Sequence, residues 1–233
     1  MSQLRVIIGA DESEPRAVAV AVDSLQRVSG IEAEILRTDK LRNQGLLTRP
    51  EDVRGGQRWD FVSNAPCSTE FSNSRFLVPI IAQSGPVLFV DCDVVFLCDP
   101  REMLAHNDWR DYAVQVVKHR YLPSTSRKMG SQLQTRYSRK NWSSVMLFNC
   151  DHEAHHELSL WAVNNRTGRD LHNFCWLRDS EIGSLDPKWN WLVGEQPKPD
   201  DIGIAHFTLG GPFTTGWNGA PHDDIWLEAS QKL

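Results

Sequence analysis

Residues 86–93 read Pro86-Val87-Leu88-Phe89-Val90-Asp91-Cys92-Asp93, and the fold follows from how this stretch is read. A short unbroken apolar run entered from Gly85 is the pattern of a strand buried on both faces. Asp91 and Asp93 then emerge together where the strand leaves the core. Carboxylates two residues apart in extended chain share one face, so both can turn toward one cation. Oxygen ligands suit a hard ion such as Mg2+ or Mn2+, which in turn suits a diphosphate.

The residues around this pair carry a resemblance. The segment 69–100, TEFSNSRFLVPIIAQSGPVLFVDCDVVFLCDP, resembles the donor-site core of GT-A glycosyltransferases, above all the family 8 group that includes glycogenin and bacterial galactosyltransferases. VIIGADESEPRAVAVAVDSL (6–25) is similar to that family's first strand and nucleotide loop, and IAHFTLGGPF (204–213) to its histidine-containing metal and diphosphate loop. The resemblance implies a single GT-A domain over residues 1–233, an α/β fold with a mostly parallel central sheet flanked by helices. It implies a metal held by Asp91, Asp93 and His206, and a UDP-sugar donor contacted by Ala10, Asp11, Arg75, Cys92, Gly210 and Gly211. It also implies transfer of a hexose with retention of configuration. LRDSEIG (177–183) is similar to the family's Asp-Gln segment beside the reacting sugar, which makes Asp179 and Glu181 the catalytic candidates. Ser180 stands where the family has Gln, so the polar group nearest the anomeric carbon stays open between the two carboxylates. If the reaction inverts instead, one of them serves as general base.

Composition sets outer bounds. A chain of 233 residues with 40% hydrophobic and 24% charged residues can bury one substantial core. A net charge of -5 speaks against bulk nucleic-acid binding. Within it, residues 118–140 hold Lys118, Arg120, Arg127, Lys128, Arg136, Arg139 and Lys140 and no acid, which favours an acidic or phosphorylated acceptor. The five cysteines lack metal-ligand spacing, and with no leader or long apolar run a cytoplasmic protein is expected.

Coarse elements follow from periodicity. Strands are predicted over Leu4 to Ile8, Glu32 to Arg37, Tyr112 to Val117 and Ser144 to Phe148. A helix is predicted from Pro15 to about Val28, stopped at Ser29 and Gly30, with Asp11 and Glu14 as a capping box. Residues 38–64 read as a polar loop over the donor, and Ser72 to Gln83 as a helix presenting Arg75. Trp189 and Trp191 offer aromatic faces to a sugar or, as readily, to the core.

Two other functions compete. His152-Glu153-Ala154-His155-His156 matches H-E-x-x-H, which on a helix would place two imidazoles and a general base around zinc, as in a metalloprotease. Its position directly after a strand argues against a shielded helix centre. The second alternative is a catalytically idle nucleotide-sugar binder, with Ser180 as the one departure that favours it.

Overall fold

The structure is a computed structural model that describes residues 3–105, 108–119, 127–128, 132–133 and 139–233. Arg120 and Arg136 of the basic stretch lie outside the described residues. Strand β1 (Arg5–Gly9) leads into helix α1 (Pro15–Ser29) and then β2 (Glu34–Leu36), a parallel neighbour of β1. Helix α1 buries Ala17, Val20, Ala21, Ser24 and Leu25, a stripe spaced by three and four residues. Burying a side chain such as Val20 or Leu25 contributes roughly 1.5–3 kcal/mol. Pro15 opens the helix and Gly30, at φ 69°, closes it in the left-handed conformation that glycine adopts without steric cost. The predicted capping box is not formed. Glu14 is the cap residue, and the Asp11 carboxylate instead accepts from the Ser13 amide and hydroxyl and from the Glu70 amide.

Residues 38–64 depart from the expected loop. They form helix α2 (Thr38–Asn43) and strands β3 (Glu51–Arg54) and β4 (Gln57–Asp60), with β5 (Ala65–Cys67) completing a small antiparallel sheet. Gly55 and Gly56, at φ 59° and 81°, make the two-residue turn between β3 and β4. The expected helix from Ser72 to Gln83 is split into a 3-10 turn, Ser74–Leu77, and a short α3 (Val78–Ala82). Pro79 at the start of α3 cannot continue a preceding helix, and Gln83 at φ 67° ends it.

Strand β6 (Pro86–Val90) is buried at every position and pairs in parallel with β1. β7 (Val94–Phe96), α4 (Glu102–Ala105), β8 (Val114–Val116) and a two-residue hairpin pair, β9 (Arg127–Lys128) with β10 (Gln132–Leu133), follow. β11 (Val145–Asn149) lies between β6 and β8, antiparallel to both. Helices α5 (Leu160–Asn165) and α6 (Gly168–His172) precede β12 (Ile182–Ser184), which is parallel to β8. The sheet order is β12-β8-β11-β6-β1-β2, so β11 alone runs against the other strands and the sheet is mostly parallel, as expected.

A second sheet, β13 (Trp191–Leu192), β14 (Ile204–His206) and β7, packs with α1 and α7 (Asp223–Ser230) around Trp191, Phe207 and Trp226. Trp189 belongs to the main core, and both tryptophans of 189–191 are almost wholly buried. Among the described residues no helix is long and apolar enough to cross a membrane.

Candidate active site

β1, β2, β6 and β8 all point their carboxyl ends to one edge of the sheet, where ligands sit in open α/β folds. At that edge the backbone bends after Val90, and the bend, not a continuing strand, lets Asp91 and Asp93 converge. The Asp91 amide is held by the Ser144 carbonyl at 2.9 Å, while the Phe207 amide donates to the Asp93 carbonyl at 2.8 Å. The antiparallel register of β14 on β7 sets His206 opposite Val94, beside the same bend. Ligand atoms of Asp91, Asp93 and His206 consequently lie within 4.8 Å of one another, all three residues buried. Two carboxylate oxygens and an imidazole nitrogen form a donor set suited to a divalent cation such as Mn2+ or Mg2+.

His206 is oriented from behind. Its Nδ1 meets the Asn190 side-chain oxygen at 2.9 Å, and its Nε2 lies 3.2 Å from Asp93 Oδ1. An amide oxygen only accepts, so Nδ1 carries the proton and Nε2 keeps its lone pair toward the carboxylates, the arrangement of a metal-ligating histidine. Asn190 is fully buried and donates in turn to the Asn141 carbonyl and the Ser144 hydroxyl. Asn190 was not among the residues expected at the site; a polar residue between two tryptophans, all three buried, was the available signal.

Arg75 approaches from the 3-10 turn. Its Nη1 lies 2.8 Å from Asp91 Oδ1 and donates to the Ser143 carbonyl at 2.7 Å, while its guanidinium stacks on Phe71 and Phe89. Arg75 and Asp91 face a cavity of about 350 Å³ walled by β5, the 140–144 loop and the start of α6. Asn141 in that wall adopts φ 61°, and its carbonyl also accepts from the Ser144 hydroxyl. A smaller cleft of about 160 Å³ opens beside it between β1 and β2, lined by Ala10, Asp11, Arg37 and Glu70 among others. The segment from Glu70 to Arg75 separates the two.

The remaining site candidates are placed differently. The Cys92 side chain turns from the bend into the core, where burial above all, then Asp93 and Glu14, push its thiol well above the usual range. Gly210, at φ 107°, and Gly211 are in the loop after His206, but their own packing already demands glycine: a Cβ would come 3.0 Å from Thr214 Oγ1 at Gly210 and 2.8 Å from Phe213 at Gly211. Glu181 is not brought to the edge where Asp91, Asp93 and His206 converge. Its carbonyl accepts from the Ala113 amide below β8, so it directly precedes β12 at the opposite end of the sheet. Five residues of strand separate it from the level of Asp91, roughly 15 Å at the usual rise. There Arg178 hydrogen bonds hold its carboxyl below the ordinary range. Asp179 is 90% exposed and pairs with Arg139 at 2.5 Å, while Arg139 stacks on Trp142. Neither carboxylate lines the cavity that Asp91 faces.

The H-E-x-x-H segment does not form a zinc site. Glu153–Glu157 is a 3-10 helix with three residues per turn, so His152 and His156 are not stacked as on an α-helix. His156 is exposed, and His155, outside the motif's ligand positions, is buried against the Ala113 carbonyl at 3.0 Å.

No protein-family profile matches the chain. Among solved structures it resembles the glycosyltransferase GlyE of Streptococcus pneumoniae TIGR4, with a TM-score of 0.62 and 12% identity over 99% of this chain and 60% of that one. It also resembles the galactosyltransferase LgtC, solved with donor and acceptor sugar analogs, with a TM-score of 0.59 and 14% identity over 98% of this chain and 96% of that one. At such identities the likeness is one of fold, and the fold is GT-A. Protein CDI of Arabidopsis thaliana is 38% identical over 237 residues, covering 98% of this chain and 86% of that protein. At that identity, over almost its whole length, the chain belongs to the family of Protein CDI, here built on the GT-A glycosyltransferase fold.

Proposed function

We propose that the chain is a metal-dependent glycosyltransferase that takes a hexose from a nucleotide sugar, a UDP-sugar, and transfers it with retention. The observation that carries this is the buried Asp91, Asp93 and His206 group at the carboxyl edge of a GT-A sheet, with Asn190 fixing the tautomer of His206. The nucleotide lies in the cleft at Ala10 and Asp11, the diphosphate crosses the bend at Asp91, and the sugar enters the larger cavity beside Arg75.

Mn2+ or Mg2+ would be held by Asp91, Asp93 and His206, and when bound it neutralises negative charge developing on the leaving diphosphate. The chain's own part is electrostatic and positional. Arg75, pinned by the Ser143 carbonyl and two aromatic faces, presents a fixed cation at the same place. In a retaining transfer the leaving phosphate oxygen itself takes the acceptor proton. No carboxylate base is then required, which fits the absence of Asp179 and Glu181 from the cavity lining.

The test combines calorimetry with a panel of nucleotide sugars scored by nucleotide release. UDP binding should require Mn2+ or Mg2+, and Asp93→Ala should abolish this metal-dependent binding while leaving the fold intact. Equal UDP and Mn2+ affinity in Asp93→Ala would refute the metal assignment. Binding without any turnover across the panel would leave a nucleotide-sugar binder in place of the enzyme.

A further inference from the structure

The charge of the larger cavity points to the chemistry of what enters it. Arg75, Lys140, Arg169 and His172 line it, and Asp91 is the one carboxylate among the described residues that do. Asp91 is engaged by Arg75 at 2.8 Å and, on the function proposed above, also by the metal. The other walls are short hydroxyls, amides and small apolar groups. His172 is fixed in place, its Nδ1 2.6 Å from the Ser143 hydroxyl and its ring edge-on to Phe76. Arg169 stands on the exposed side of α6 at the rim.

A neutral hexose brings only hydroxyls to such a surface. A substrate seated against Arg169 strips water from its guanidinium, a cost that hydroxyls offset poorly and an anion offsets well. The arginine fork also matches the two oxygens of a carboxylate or phosphate. The Gly168 amide next to Arg169 donates to Ser63 Oγ at 2.7 Å, which ties this part of the wall to the turn after β4.

We propose that the cavity selects a substrate group bearing a carboxylate or phosphate, and that Arg169 is the residue that selects it. This rests on the glycosyltransferase function proposed above. The anion belongs either to the transferred sugar, as in a uronic acid, or to the acceptor, as in a sugar phosphate.

Calorimetry on the full chain with Mn2+ decides between these. UDP-glucuronate and UDP-galacturonate are compared with UDP-glucose and UDP-galactose, and glucose 6-phosphate with glucose in the presence of UDP. One pair should differ by on the order of tenfold in favour of the anionic member. In Arg169→Gln the preference should fall to about one, and Arg169→Lys should restore part of it. Discrimination among donors assigns the anion to the sugar, and discrimination only between the glucose forms assigns it to the acceptor. Equal binding within both pairs overturns the proposal while UDP and Mn2+ still bind. So does a preference that survives Arg169→Gln, or a loss of affinity for UDP alone with unchanged ratios, which would make Arg169 a diphosphate ligand. Failure of UDP and Mn2+ to bind at all would instead remove the glycosyltransferase function itself.

Discussion

Asp60→Ala is the substitution whose cost is best determined by the structure. Arg49 and Asp60 are both fully buried and form an ion pair with each other. The Arg49 Nη1 also donates to the carbonyls of Val163 and Arg166, at 2.8 and 2.7 Å, so the guanidinium fastens the β3–β5 sheet to α5. The Asp60 carboxylate accepts from the Ser63 hydroxyl and amide and from the Val62 amide. Truncation therefore strands a buried cation and frees two amides at once. Breaking such a pair costs about 3–5 kcal/mol. In a chain of this size each kcal/mol moves Tm by about 2–4 °C, so Asp60→Ala should lower it by roughly 6–20 °C. Urea unfolding followed through the nine tryptophans measures the free energy directly. The double variant Arg49→Met with Asp60→Leu removes both charges and should lose less than the sum of the single changes. A loss below about 1 kcal/mol in Asp60→Ala, or full additivity in the cycle, would refute the pairing as an energetic unit.

Asn190→Ala should free the His206 ring and reduce Mn2+ affinity about 10–100-fold, read by calorimetry; an unchanged affinity would make Asn190 a core amide only. His155 is held neutral in the fold, its pKa pushed down to about 4 chiefly by burial. In the unfolded chain it titrates near 6.5, so its stabilising effect is complete above that pH and is lost as the pH falls toward 4, by up to about 1.4 kcal/mol per unit. His155→Gln should remove this slope, and the stability difference between parent and variant should shift by about 2 kcal/mol between pH 6.5 and 5; parallel denaturation curves would contradict it. Gly168→Ala would set a Cβ 2.9 Å from Asn73 Oδ1 and 3.3 Å from Ser63 Oγ in the cavity wall. It should cost about 1–3 kcal/mol and weaken nucleotide-sugar binding more than UDP binding, which comparison of the two affinities tests.

What could be read beforehand was what local pattern determines. β1, α1, β2 and β6 were legible because apolar runs, a helical stripe and Gly30 act within a few residues. The β3–β5 sheet was hidden because Glu51-Asp52-Val53-Arg54 is largely exposed and lacks apolar alternation, although Gly55-Gly56 carried its turn. The break after Leu77 was signalled by Pro79, but the 3-10 turn over Ser74–Leu77, where Arg75 packs on Phe71 and Phe89, depends on tertiary contacts that no local pattern registers. At the site, Asp91, Asp93 and His206 were named together, yet the contact that orients His206 was not. Glu181 illustrates the opposite limit. A carboxylate in a segment similar to the family's Asp-Gln stretch reads as chemistry until the register of β12 on β8 sends it to the far edge of the sheet.

The reversed strand β11 has a consequence for how the chain reaches this shape. β11 pairs with β6, which lies 55 residues earlier in the Val90–Val145 register, and with β8 on its other side. Until residue 149 has left the ribosome, both β6 and β8 present an open ladder of unpaired amides and carbonyls, and β6 is wholly apolar. Such late, non-local pairing slows folding and prolongs the life of aggregation-prone intermediates. A chain shortened before β11 should accordingly be insoluble, even though it retains both Asp91 and Asp93.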